Sequence, residues 1–378
     1  MRVLVMTVVH HPEDARILHR QIAALTAAGH QVIYAAPFAA RGVTPRAGLE
    51  AVDLPRSAGR SRATAVRAAR AEYKRLRDDV DITLLHDPEL LLAIAGAHGR
   101  RPVVWDVHED TAAALGLKAW MPRLLRAPVA AAVHAAEAGA EGSVHLLLAE
   151  HGYVDRFRRL HPVVPNQTLV PAEVPPPGAD RAVYLGAITL ARGAAEMVAV
   201  ARLLAPEGVR VELIGSADAA STPLLQAAVA DGVLDWTGFQ PNDLALARLP
   251  GALAGLSLLR DEPNYRHSMP TKVIEYMAQG LPVVTTPNPP AAELVSRHRC
   301  GTVVPWDDPK AAAKAILELR DDETTRTEYG RRGHAAALAE HDWRAAGAMF
   351  VAQLEDWSRS AERRDPGRRN PRRGSARR

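Results

Sequence analysis

The sequence predicts an α/β protein built from two doubly wound, parallel-sheet domains. Three observations carry that expectation. The chain has 378 residues, 47% of them hydrophobic, enough material for two ordinary cores. Short β-rich runs alternate with helical patterns from the first residues onward, as when helices cover a parallel sheet. A proline-dense stretch, HPVVPNQTLVPAEVPPPGAD at 161–180, divides one such series from a second and suits a linker better than a packed element.

In the first series, RVLVMTVV is a continuous apolar run suited to a central strand buried on both faces. Asp14 can cap the helix that follows, in which Leu18, Ile22 and Leu25 recur at helical spacing, and Gly29 stops it. QVIYAA, DITLL and PVVWDV supply further strands, and the Ala-rich stretch 128–149 is expected to be helical throughout. In the second series AVYLGA, VRVELIG, VLDWTGF, GLSLL, LPVVTT and GTVVP are strands separated by helical segments. The expected organisation is therefore a first domain over 1–165, a second over 166–324, a closing helical segment over 325–358 that can cross back to the first, and a tail over 359–378.

The formal net charge of +4 belongs to that tail, where nine Arg face only Glu362 and Asp365, which leaves −3 for residues 1–358. Such a segment, poor in apolar residues and rich in charge, is expected to be disordered. It serves either as a solvated extension or as a contact for an anionic partner. Cys300 is the single cysteine, so neither an internal disulfide nor a zinc-thiolate cluster can form, and a reducing cytoplasm is expected. No apolar run approaches the roughly 20 residues of a membrane span, and no leader pattern precedes the first strand.

The segment richest in chemistry is YRHSMPTKVIEYMAQGLPVVTTPNPPAAELV, residues 265–295. Ser268, Met269, Pro270 and Thr271 lead into a helical run closed by Gly280, so backbone N–H groups there can form an anion site to which Lys272 adds a full charge. Glu275 follows three residues later on the same face, where a carboxylate can accept from a ribose diol. An amphipathic helix with an i,i+3 surface pair fits the spacing equally well. What separates the two is that PTKVIEYMAQGLPVV resembles the donor-binding segment of the retaining GT-B glycosyltransferases of family 4.

The resemblance extends over nearly the whole chain except the tail, and implies two Rossmann-like domains facing across a cleft. YLGAITLARG is similar to the family's diphosphate loop, which implies that Gly186 approaches the diphosphate and Arg192 neutralises it. The family usually has an arginine directly after that glycine; Ala187 stands here instead. The first of the family's paired glutamates is likewise replaced, by His267, while Glu275 keeps the second. VELIGSAD and LDWTGFQPNDL resemble the strand ends around the base, which implies Gly215, Gly238 and Phe239 there. LLHDPELL and VVWDVHED resemble the acceptor-side cleft. They imply that His108 contacts the transferred sugar and that His86, Asp87 and Glu109 line the cleft. His10, His11 and Arg16 are expected to face it too, since the loop after a first parallel strand usually does.

The implied activity is transfer of a sugar from a UDP- or GDP-type donor to a small-molecule or glycan acceptor, with retention. His108, Arg192 and Lys272 are the implied catalytic groups, without a metal or a cofactor. Two other functions fit the same fold: a non-hydrolysing nucleotide-sugar epimerase, and an inactive binding protein. His86-Asp87 lacks the companion ligands of the metal-dependent phosphohydrolases, and HHPEDAR after the first strand is not the G-x-G-x-x-G of a dinucleotide site. No sequence-specific nucleic-acid binding is expected. GLKAWMPRLLRAP, 116–128, mixes basic and apolar residues, which fits helix packing or a weak contact with a membrane surface.

Overall fold

The computed structural model describes residues 1–97, 99–108, 123–266 and 268–364. Glu109, His267, most of the 116–128 patch and the tail from Asp365 lie outside them. The chain divides into two compact units: Met1–Pro165 together with the residues from Ala345 onward, and Asn166–Arg344.

The first unit holds β1 (Arg2–Met6), β2 (Gln31–Ala36), β3 (Glu50–Asp53), β4 (Ile82–Leu85), β5 (Val103–Val107) and β6 (His145–Leu148), in the order β3-β2-β1-β4-β5-β6. The second holds β7 (Arg181–Leu185), β8 (Arg210–Ile214), β9 (Asp235–Trp236), β10 (Ala254–Ser257), β11 (Val283–Thr285) and β12 (Gly301–Val303), in the order β12-β11-β10-β7-β8-β9. Every ladder is parallel. Each sheet thus starts in the middle, winds one way, then crosses back and winds the other. The crevice where the winding reverses lies at the carboxyl ends of β1 and β4 in one unit, and of β7 and β10 in the other.

Continuous apolar runs account for the central strands. Val3, Leu4 and Val5 have no exposed surface, because helices cover both faces of β1. Asp14 caps the first helix as its sequence predicts, its Oδ1 accepting from the amides of Arg16 at 2.9 Å and Ile17 at 3.0 Å. That helix begins π-wound over Ala15–Ile22 and continues as α-helix over Ala23–Ala27. The winding has a consequence for polar residues. With i→i+5 hydrogen bonds, Arg16 and Gln21 come onto one inward face, which α-helical spacing would not do.

Four expectations are corrected. The helix expected over 128–149 ends at Glu141, and His145–Leu148 forms the edge strand β6 beside β5, because Gly142 and Ser143 turn the chain before an apolar HLLL run. Glu50–Asp53 pairs with β2, although its alternation is short and partly charged. The proline-rich stretch is no free linker: Val170 is buried in the second core, and the Pro177 carbonyl accepts from buried Arg326. Finally, the last helix runs Trp343–Arg364, so 359–364 are ordered. Arg359 pairs with Glu355 one turn back, and Ser358 is buried, which extends the helix into the basic segment.

Candidate functional site

In the second unit the crevice is built on bare backbone. Gly186 follows β7 with φ of 121°, and Gly215 follows β8 with φ of 149°. A Cβ on Gly215 would stand 1.9 Å from the Gly186 carbonyl oxygen, so the two strand ends approach as only glycine permits. The loop after Gly186 is pinned when the Thr189 hydroxyl accepts from the Arg192 amide at 3.2 Å. Gly193 then turns the chain with φ of 87°, where a Cβ would strike the Leu258 carbonyl. Arg192 is thereby fixed at the start of the helix Ala194–Leu204.

The helix Thr271–Ala278 follows β10 on the other side of the crevice. Its anchor is Tyr276, whose hydroxyl accepts from the Leu185 amide at 2.8 Å and donates to the Leu256 carbonyl at 3.0 Å. The ring lies flat on Gly255, where a Cβ would come within 2.2 Å of it. Gly255→Ala is therefore expected to lift the helix from the sheet and cost about 1–3 kcal/mol by overpacking. Urea unfolding of the variant measures the cost.

Held this way, Lys272 is buried with its ammonium 4.9 Å from the Tyr184 ring centroid. Its Cε lies 3.6 Å from where a Gly186 Cβ would be, ordinary contact distance, so the Lys272 side chain lies directly against the backbone at Gly186. Among the described residues no carboxylate reaches ion-pair distance of this ammonium. Burial, reinforced by the Arg192 charge and only partly offset by Glu275, depresses its pKa to about 7. A buried ammonium within the field of the Arg192 charge, at the end of a parallel sheet, is an arrangement that can receive an anion.

In the first unit the crevice gathers polar side chains around a buried carboxylate on β5. Asp106 accepts from Arg16 through Nε and Nη2, both at 2.7 Å, and from Gln21 Nε2 at 2.9 Å. Burial opposes its ionisation, but the Arg16 charge and hydrogen bonds outweigh that and hold the carboxyl well below the usual range. His86 Nδ1 lies 3.3 Å from Asp106 Oδ2 without hydrogen-bond alignment, and burial lowers the pKa of that imidazole. His108 is opposed by burial too, yet the Asp106 carboxylate raises its pKa. Its Nδ1 lies 3.1 Å from the Asp106 carbonyl oxygen, and its Nε2 lies 2.9 Å from Nε2 of His10. With Nδ1 donating, neutral His108 accepts from His10. Asp87 holds the loop after β1 by accepting from the Thr7 hydroxyl and the amides of Val8 and Val9, and its other oxygen is 3.3 Å from His10.

The sequence-predicted residues thus fall into two groups. Gly186, Arg192, Gly215, Lys272 and Glu275 gather at the second crevice, with Ser268, Met269, Pro270 and Thr271 leading into its helix. Gly238 turns the chain after β9 with φ of 69°, and Phe239 beside it is 46% exposed. His10, His86, Asp87 and His108 gather at the first crevice. Arg16, His86 and Asp87 lie beneath its surface, at 4%, 2% and 0% exposure, so they brace the site and do not line it as expected. His11 sits on its rim, half-buried.

Asp106, Gln21, Tyr184 and Tyr276 were missed. Asp106 had a signal: an aspartate inside VVWDV is too costly to bury unless paired. The structure also brings ligand atoms of His86, Asp106 and His108 within 4.8 Å of one another, a grouping not foreseen from sequence. Any cation there competes with the Arg16 guanidinium, already in contact with both Asp106 oxygens.

The sequence model described as glycosyl transferases group 1 matches residues 179–322, most of the second unit and less than half of the chain. No curated protein matches the sequence. Among solved structures, the chain is similar to sucrose-phosphate synthase from Thermosynechococcus elongatus, with a TM-score of 0.71 at 16% identity over 95% of this chain and 99% of that one. It is similar to HepE of Anabaena, in complex with UDP and glucose, with a TM-score of 0.69 at 15% identity over 94% of this chain and 99% of that one. WaaG, a glycosyltransferase involved in lipopolysaccharide biosynthesis, gives 0.66 at 13% identity, again over 94% and 99%. The fold is that of the GT-B glycosyltransferases, as the sequence resemblance implied.

Proposed function

We propose that this protein is a retaining, metal-independent glycosyltransferase. In this reading the second unit binds a nucleoside-diphosphate sugar, and the first binds the acceptor. The observation that carries it is Lys272, a buried cation set beside Arg192 and the glycine backbone at the β7 end. A pyrophosphate offers two charges and several acceptor oxygens to that arrangement, and Arg192 and Lys272 stabilise it further as it departs. Glu275, one turn along the same helix, takes the ribose hydroxyls in this reading. The match of the second unit to a glycosyltransferase family supports the reading, as does likeness to a protein solved with UDP and glucose. His108, with His10, addresses the transferred sugar from the first unit. The departing phosphate oxygen takes the acceptor's proton on the same face, so no protein nucleophile is assigned. Cys300 is buried with its thiol pushed up to about 12, which removes it from such a role.

The test combines binding and turnover. A saturating nucleoside diphosphate, at 100 times its Kd, is expected to stabilise the folded protein by about 2.7 kcal/mol in a thermal-shift series of UDP, GDP and ADP. With the matching nucleotide-sugar, release of the diphosphate is expected to require an acceptor extract and to survive EDTA. The product's anomeric configuration, read by NMR coupling, is expected to match the donor's. Isomerisation of the donor without acceptor, or no response to any diphosphate, overturns the proposal.

A further inference from the structure

One cluster of cations at the first crevice takes no part in the reading above. The helix Phe38–Arg41 after β2 presents Arg41, and the loop after β3 presents Arg56 and Ser57. Both segments are stitched to the loop after β1: Arg41 Nη2 donates to the Val9 carbonyl at 3.2 Å, and the Ser57 amide donates to the Val8 carbonyl at 2.7 Å. His11 stands on that same loop. The carboxyl ends of three adjacent strands thus converge on one spot, beside the point where the sheet's winding reverses.

The spot is cationic, and among the described residues no carboxylate lies within ion-pair distance of Arg41 or Arg56; Asp53, at the end of β3, accepts from the Ala39 amide at 2.9 Å. Arg41 is lowered in pKa by burial and by the neighbouring Arg56, and its Nε has no hydrogen-bond partner. The Ser57 hydroxyl is 93% buried by residue and equally unpartnered. His11 is lowered by burial, then by Arg41 and Arg56, against the opposing charges of Glu13 and Asp14. Those two carboxylates are engaged elsewhere. Glu13 accepts from Arg46 at 2.7 Å and lies 3.0 Å from His19, while Asp14 caps its helix. The Arg56 charge acts on Arg41, lowering its pKa, and a multiply charged anion relieves that repulsion.

Resting on the glycosyltransferase reading, we propose that the acceptor carries a phosphate ester, held by Arg41 and Arg56 with the Ser57 hydroxyl and the His11 ring. Guanidinium forks match phosphate oxygens two at a time, and a hydroxyl and an imidazole supply the remaining donors. The acceptor's phosphate then fixes where its hydroxyl meets the site of His10 and His108. The same chemistry serves a soluble sugar phosphate or a phospholipid headgroup.

The test uses glucose 6-phosphate and glucose as probes, with excess UDP present to occupy the second unit. NMR of ¹³C-labelled histidine rings follows His11. Glucose 6-phosphate is expected to raise the His11 pKa toward its ordinary value, and glucose to leave it unchanged. An Arg41→Gln, Arg56→Gln protein is expected to lose about tenfold or more in affinity for the phosphate while its UDP thermal shift stays at the parent value. A second arm compares sedimentation with phosphatidylglycerol and phosphatidylcholine vesicles. Binding that needs the anionic vesicle and both arginines supports the lipid source. If neither probe responds, or the double variant responds like the parent, the proposal fails. If the phosphate probe binds through these arginines while no nucleoside diphosphate binds anywhere, the glycosyltransferase reading fails and this site remains.

Discussion

Replacing Lys272 by Met is expected to lower kcat/KM on the order of 10²–10³-fold, with a comparable share appearing as lost nucleoside-diphosphate affinity. Methionine keeps the length and the packing on Tyr184, so the loss measures charge. Arg192 alone cannot compensate, because the arginine that could have followed Gly186 is Ala187. The depressed pKa adds a pH signature. The pKa of Lys272 is lowered to about 7 without ligand; on the glycosyltransferase reading a bound diphosphate restores its charge, so binding takes up a proton. Above pH 7 affinity is therefore expected to fall by up to about tenfold per pH unit. Calorimetry in buffers of differing ionisation enthalpy counts the proton. The sign for stability is opposite. Unfolded, the amine holds its proton up to its ordinary value of 10.5, so the folded protein without ligand gains stability as pH rises from about 7 toward that value. The Met variant is expected to be more stable than the parent near neutrality and to lose that dependence. A variant with unchanged UDP affinity at pH 7 and pH 9 contradicts the assignment.

How much of this was legible beforehand depends on the kind of signal. The twelve strands among the described residues rest largely on apolar runs, and the sequence displays those of the second unit in full. β3 and β6 escaped because EAVD is short and partly charged, and because HLLL adjoins an alanine-rich helix whose pattern swamps four residues. At the second crevice the glycines, Arg192 and Lys272 were visible through local spacing and family likeness. Tyr276 was not, since a tyrosine inside VIEYMA looks like any core residue until Gly255 is set beneath it. The first crevice was half visible. Its histidines stand at strand ends, but the network through Asp106 joins residues 90 and 85 positions apart in the chain. It also depends on a π-wound turn that no periodicity announces.

That network supplies the other large effect, and it concerns stability. Asp106→Ala removes the counterion of Arg16, which is 4% exposed, and the acceptor for Gln21. Breaking a buried pair from one side costs about 3–5 kcal/mol, because the remaining charge stays desolvated and unpaired. The loss is expected to appear in hydrogen exchange at the Val103–Val107 amides of β5, a probe of the first unit alone. Removing both charges, as Arg16→Met with Asp106→Leu, is expected to cost less than the single change, since no orphaned cation remains. Acid provides an independent check. The Asp106 carboxyl is held well below the ordinary value of 3.8, so on acidification the unfolded chain takes up a proton first. Its contribution is present above that value and drains away below it, and the Asp106→Ala protein is expected to lose less stability than the parent over that acid range. Equal costs for the single and double variants would locate the energy in packing rather than charge, and the Asp106 hub would then be a matter of shape.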